Sequence, residues 1–416
     1  MSVFHPVIPT ALPSSRAAFV VLALLAFVLP LVEAPKNLFW LLFASLCTVA
    51  AVRAHLSGLP PIGRPNRRHD LVFSGLFLAP LISVACAPVL HEWSELGNIV
   101  LYVSIGWVLA RARLSERQVL EVLSAVVAGT LVAVALGLWI KQHSGRQYLE
   151  LHSVGQVNHS ALYGVAVGLL VLVATAAYWS RLRRPGRVGM ALLSIGFFVL
   201  MFGWGSRGAL LAYLAGLAIF GVYFLRVMKY RLMPALAGAA ILAALTLAFN
   251  PFLIQKTTNN FAAGFPDSER IAAAHSAIEI WRHAPLTGVG AAAFRSVSPE
   301  QMRAWVTARG ETYVQANYFF SNHAHSLYFN TLAERGLVGM AALLALLVLW
   351  SVALLQRRPD ARSSAAHWLV WGSGLAGWSM VFVGGLFNTT LHHEHGILGM
   401  LMLGLLLGSL PVAEPD

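Results

Sequence analysis

The chain has 416 residues, 58% of them hydrophobic and only 11% charged, with a mean hydropathy of +0.69. Soluble globular proteins carry about 25% charged residues, so the composition excludes an ordinary cytosolic enzyme and points to a polytopic helical membrane protein. The net charge of +12 would suggest nucleic acid as the partner of a soluble protein; here the basic residues lie in short loops between apolar runs, where they set orientation instead.

Twelve apolar runs follow in chain order, at 17–34, 37–54, 71–90, 97–112, 119–140, 158–179, 188–204, 207–225, 232–250, 326–355, 365–387 and 394–411. Eleven further runs after the first favour a retained first helix over a signal peptide following Arg16. Cys47 and Cys86 both fall inside runs and read as small buried hydrophobes, with neither metal nor disulfide spacing. The loops alternate in charge. Most of the 29 basic residues fall at Arg16 and in the loops around 53–68, 111–117, 181–187, 226–231 and 357–362. The opposite side has Lys36, Lys141, Arg146, Arg207 and Arg335, plus a few in one long loop. Positive residues stay cytoplasmic, which places both termini inside.

The expected fold is therefore all-α, a single integral membrane domain over 1–416 with about twelve transmembrane helices. The long loop 251–325, between the ninth and tenth helices, is then extracytoplasmic. It has structure of its own. Asp267 or Ser268 can cap a helix on which Ile271, Ala274, Ile278 and Trp281 keep helical spacing. Pro285-Leu286-Thr287-Gly288-Val289-Gly290 breaks that helix, its glycines reading as turn residues, and Ser298-Pro299-Glu300 suits the start of a second.

The unusual polar residues gather on the outer side. Arg207 lies in Gly205-Ser206-Arg207-Gly208, on the side that the positive-inside rule disfavours for arginine, with glycines that allow close approach of an anion. Arg270, at a helix start, either opposes the helix dipole at a small cost or joins that N-terminus in binding an anion. His325, Tyr328, Asn330 and Glu334 enter one long span, and ionisable groups at such a mouth are functional candidates. Imidazole is suited to proton transfer near neutral pH. A metal site joining His323 and His325 to His392, His393, Glu394 and His395 is a weak alternative, because no cysteine or paired carboxylates stand at usable spacing. Arginine binds phosphate oxygens bidentately, so two of them can hold a pyrophosphate without metal. The residues alone thus suggest an anionic, lipid-linked substrate at the outer leaflet.

Ser206-Arg207-Gly208, then Ser268-Glu269-Arg270 through Trp281 to Pro285–Gly290, then His325-Ser326-Leu327 through Glu334-Arg335-Gly336-Leu337-Val338-Gly339, resemble the O-antigen ligase and polymerase superfamily in content and order. Gly155-Gln156-Val157-Asn158-His159 is a looser match. The resemblance implies a GT-C-like glycosyltransferase that moves a glycan from undecaprenyl pyrophosphate to a sugar hydroxyl of lipid A–core, completing lipopolysaccharide at the periplasmic face of a Gram-negative inner membrane. It implies inversion at the anomeric carbon, no cofactor and no metal. On this basis Arg207 and Arg270 hold the pyrophosphate, and His325 either deprotonates the acceptor hydroxyl or binds phosphate. Asn158, His159, Tyr328 and Asn330 are expected to contact substrate, and Glu334 to pair with Arg335 or cap local backbone. The chain departs from the pattern at Ser326, where many relatives carry Asn, and at Arg335.

The nearest alternative is an O-antigen polymerase, which extends the lipid-linked glycan; a ligase that modifies protein is a third. A twelve-helix transporter is disfavoured, because the longest loop is neither central nor cytoplasmic and no run carries a buried carboxylate. A non-catalytic envelope scaffold would leave Arg207, Arg270 and His325 replaceable.

Overall fold

The computed structural model describes residues 16–58, 66–87, 93–112, 114–145, 149–151, 154, 157–230 and 268–409. The described chain is helical. Its α-helices are α1 (Arg16–Val28), α2 (Glu33–Leu56), α3 (Arg67–Ala85), α4 (Trp93–Arg111), α5 (Glu116–Ser144), α6 (Val157–Tyr178), α7 (Arg184–Gly203) and α8 (Arg207–Val227), followed by α9 (Ser268–His283), α10 (Pro299–Ala308), α11 (Leu327–Gln356), α12 (Ala365–Trp378) and α13 (His393–Ser409). Eleven of the twelve expected spans coincide with helices; the ninth, 232–250, lies outside the described residues, as does loop segment 251–267.

Among the described residues, eight helices are long and apolar enough to cross a membrane: α2, α3, α5, α6, α7, α8, α11, and α12 with its continuation to Leu386. Helices α1 and α13 are apolar but have 13 and 17 residues. At about 1.5 Å per residue they reach roughly 20–25 Å, less than a hydrocarbon core of about 30 Å. Local sequence explains the boundaries. Asn66 caps α3 by accepting the Arg68 and His69 N–H groups, so this helix starts four residues before the apolar run. Ser115 and Gln118 form a reciprocal capping box at α5, which ends at a left-handed Gly145. Cys47 is buried, but Cys86 lies just past the end of α3 and is exposed, contrary to its reading as a core residue.

Helices α6, α12 and α13 form the centre. Most side chains of α6 and α12 are buried, and α13 is enclosed along its length. Helix α13 lies against α4, and its Gly404-Leu405-Leu406-Leu407-Gly408 spacing permits the approach: a Cβ at Gly408 would meet the Leu109 carbonyl oxygen at 2.1 Å, and one at Gly404 the Gly106 oxygen at 2.8 Å. Small residues four apart let helices in lipid come this close. The outer helices turn Leu38, Leu41, Leu71, Leu192, Leu211 and Val348 outward, as suits a protein whose solvent is hydrocarbon.

Buried carboxylates are present at the helix ends, contrary to the sequence reading, and each is matched. Glu394 on α13 pairs with Lys36 on α2 at 2.5 Å, both almost fully buried. At the opposite end of the bundle the only partly buried Asp70 takes Arg111 at 2.6 Å and the Trp107 indole N–H at 2.9 Å. Glu334 is held by backbone N–H groups, as described below.

The segment 268–325 builds a second, smaller core from Ala277, Ile280, Val289, Phe294, Val297 and Met302, closed by Ala333 of α11. Ser298 starts α10 with a capping box to Gln301, as its sequence suggested. On α9 the inward face is Ala273, Ala277 and Ile280, not the Ile271 and Trp281 stripe; Ile271 is exposed. Small side chains on that face allow close packing on α11, and the buried Glu279 is tolerated because Arg282 and Arg309 both pair with it.

Candidate functional site

Helix α11 does not run straight through. At Gly336 the backbone takes φ +60° and ψ −155°, and the helix divides there. The Pro285–Gly290 strap fills the break. Val289 and Gly290 N–H groups donate to the Ala333 and Glu334 carbonyls at 3.1 Å, while Leu337 and Val338 donate to the Pro285 and Leu286 carbonyls at 2.9 and 3.1 Å. Ser83 of α3 adds a hydrogen bond to the Glu334 carbonyl at 2.5 Å. Irregular backbone at membrane depth requires such partners. Gly288 and Gly336 are therefore more than turn residues. A Cβ at Gly288 would stand 2.2 Å from the Glu334 carbonyl carbon, and one at Gly336 2.4 Å from that of Leu286. The Glu334 carboxylate accepts the Ala292 and Phe294 N–H groups, the local-backbone role expected for it.

The strap and the split helix frame a polar cavity of about 290 Å3 at this end of the bundle. Helix α6 contributes His159, α11 contributes Asn330, Thr331, Glu334 and Arg335, and α4 contributes Glu95. The loops add Arg295, Asn322, His323, Thr389 and His392. Three imidazoles stand on its wall, His159 lying 5.0 Å from His392 and 6.3 Å from His323, centroid to centroid, with the buried His395 behind at 5.1 Å from His159. Among the described residues, no group of three or more His, Cys, Asp or Glu has metal-holding geometry.

His325 borders this cluster, its ring 4.4 Å from that of His323 and edge-on to it. It is one of three described non-glycine residues with positive φ, at +52°, and its N–H donates to His323 Nδ1 at 3.2 Å. Burial, then the nearby His325 and His159, push the His323 pKa down to about 4, so that ring is neutral near pH 7.

Neither Arg207 nor Arg270 lines the cavity. Trp204 packs on Gly164 of α6, where a Cβ would meet its ring at 2.2 Å, and this fixes the turn through left-handed Gly205 that delivers Arg207 to the start of α8. The room left by Gly208 is taken by Phe387, 2.5 Å from the position of a Cβ there. The Arg270 guanidinium lies 6.0 Å from the centroid of the same Phe387 ring. Phe387 therefore joins the two arginine-bearing elements. Two residues on, Thr389 lines the polar cavity.

Of the substrate-contact candidates, His159 and Asn330 line the cavity, and Asn158 is exposed beside it. Tyr328 points into the helix packing instead, its hydroxyl donating to the Phe382 carbonyl at 3.0 Å. Sequence reasoning missed Glu95, Arg295, Thr389 and Phe387, and proposed no role for His392 beyond a weak metal site. Their only signal was polarity at the ends of apolar runs, and Phe387 gave none.

These features define a polytopic helical membrane protein with a histidine-rich polar cavity, and with Phe387 between the Arg270 side chain and the start of the helix that carries Arg207. Residues 192–344 match the family model described as O-antigen ligase, and over that region the chain is similar to that family. The match spans Arg207, Arg270, His325, Tyr328 and Asn330, while Asn158, His159 and His392 fall outside it. No curated protein matches the chain significantly.

Proposed function

We propose that this protein transfers a glycan from undecaprenyl pyrophosphate to a sugar hydroxyl of lipid A–core at the periplasmic face of the inner membrane. The family match over 192–344 supports ligase- or polymerase-type chemistry with lipid-linked substrates. The observation that carries the finer reading is Phe387, which packs on Gly208 beside Arg207 and lies 6.0 Å from the Arg270 guanidinium, two residues before Thr389 of the polar cavity.

In this mechanism the acceptor oxygen attacks the anomeric carbon as the bond to the pyrophosphate oxygen breaks. The electron pair leaves on the pyrophosphate, and Arg207 and Arg270 stabilise the charge that develops there. The acceptor proton passes to His325; its place beside His323, which itself lines the cavity, favours this over phosphate ligation. Attack from the face opposite the leaving group inverts the anomeric carbon. The arginines and histidine serve every step, without metal or cofactor. The fold is of the GT-C-like kind, and both termini lie in the cytoplasm.

The test is transfer by purified protein from an undecaprenyl-pyrophosphate oligosaccharide to lipid A–core, with chelator present. Arg207→Ala and Arg270→Ala should each lower kcat by about 10²–10³-fold, as for loss of one preorganised charge-stabilising donor, and His325→Ala should abolish transfer. Lengthening of the lipid-linked glycan instead would make the protein the polymerase. Variants equal to wild type would refute the assigned roles.

A further inference from the structure

The wall of the polar cavity carries both signs of charge. Arg295 and Arg335 bring two guanidinium groups to its wall, and Glu95 and Glu334 bring two carboxylates. Arg335 lies within electrostatic reach of both carboxylates and is hydrogen-bonded to Tyr102. Asn330 Oδ1 accepts the Ala324 N–H at 3.0 Å, which leaves its amide NH2 as the donor for a ligand. His323 accepts the His325 N–H at Nδ1, so its own proton sits on Nε2, a further donor.

A phosphate needs only donors and is repelled by carboxylates. A sugar hydroxyl donates and accepts at once, so a ring carrying several of them needs a mixed, charge-balanced wall. The volume of about 290 Å3 stands at the lower limit of small-molecule sites, which run from roughly 300 to 1,000 Å3, and suits one ring better than an oligosaccharide. Neither Arg207 nor Arg270 lines it.

We infer that this cavity is a subsite for one uncharged sugar ring, held by Glu95, Glu334, Arg295 and Asn330. The inference rests on the reading of the chain as a glycan transferase and adds the residues that would select the sugar. Donor and acceptor both carry such rings, and kinetics separates the two sources.

Wild type, Glu95→Gln and Arg295→Gln are compared for the KM of each substrate in the transfer assay. In parallel, the binding of methyl pyranosides of the gluco, galacto and manno series, and of inorganic pyrophosphate, is followed by saturation-transfer NMR on protein in lipid nanodiscs. Each substitution should raise the KM of one substrate about tenfold, leave the other unchanged, and weaken the pyranoside signal. Whichever substrate responds is the source of the ring. A phosphate site predicts the opposite sign, because Glu95→Gln removes a repelling charge. Tighter pyrophosphate binding in Glu95→Gln would therefore overturn the inference, as would unchanged KM for both substrates. If wild type transfers nothing, the proposed function fails by itself and the NMR arm still decides: pyranoside binding lost in Glu95→Gln supports the subsite, and binding that is absent from wild type or unaltered in the variant refutes it.

Discussion

Replacing Gly336 by alanine tests the joint between the strap and the split helix. The native φ of +60° with ψ of −155° is a region kept almost entirely to glycine, and holding another residue there costs about 1–3 kcal/mol. The new methyl would also stand 2.4 Å from the Leu286 carbonyl carbon and oxygen and 2.7 Å from the Gly288 nitrogen. These are backbone atoms that cannot swing aside, and overpacking of this kind adds about 1–3 kcal/mol. The total of about 2–6 kcal/mol is best relieved by releasing the strap, with loss of the four backbone hydrogen bonds that close the break. Gly310→Ala is the control: its φ is +77°, nothing lies within 4 Å of the added Cβ, and only the left-handed backbone cost of about 1–2 kcal/mol applies. Thermal denaturation in detergent and glycan transfer are measured on both variants. Gly336→Ala should melt well below Gly310→Ala and lose transfer, and Gly288→Ala should follow it. Equal melting of Gly336→Ala and Gly310→Ala would refute the reasoning.

Breaking the buried pair with Lys36→Met should cost about 3–5 kcal/mol in thermal unfolding, because Glu394 is left charged among apolar helices; adding Glu394→Leu should restore most of the loss. His323 has a folded-state pKa of about 4 against 6.5 when free, so the native protein binds fewer protons than the unfolded chain between those values. Its contribution to stability is complete above about pH 6.5 and is lost as pH falls towards 4, and His323→Asn should flatten the melting curve measured across that window. Tyr328→Phe removes one hydrogen bond in the packing; a loss of about 0.5–1.5 kcal/mol with both KM values unchanged is expected, and a raised KM would return Tyr328 to the substrate.

By itself the sequence determined the class. Lipid as solvent demands long apolar helices, so composition and run length read directly as a helical membrane protein, and all the described spans fall where the apolar runs lie. The family resemblance was legible too, and the region that matches the O-antigen ligase model, 192–344, includes the positions of Arg207, Arg270 and His325. The helix starts at Asn66, Ser115 and Ser298 are capped within a few residues, as local chemistry dictates. Helix faces and long-range meetings were decided by the tertiary structure. The buried side of α9 is its small residues, since the neighbouring helix rewards close approach over apolar size. The strap enters α11 because two glycines, 48 positions apart, vacate the same space. His159, His323 and His392 share one wall although 233 positions separate the first from the last. Hydropathy carries no term for which helix ends meet; packing between helices supplies it, and the candidate site is made there.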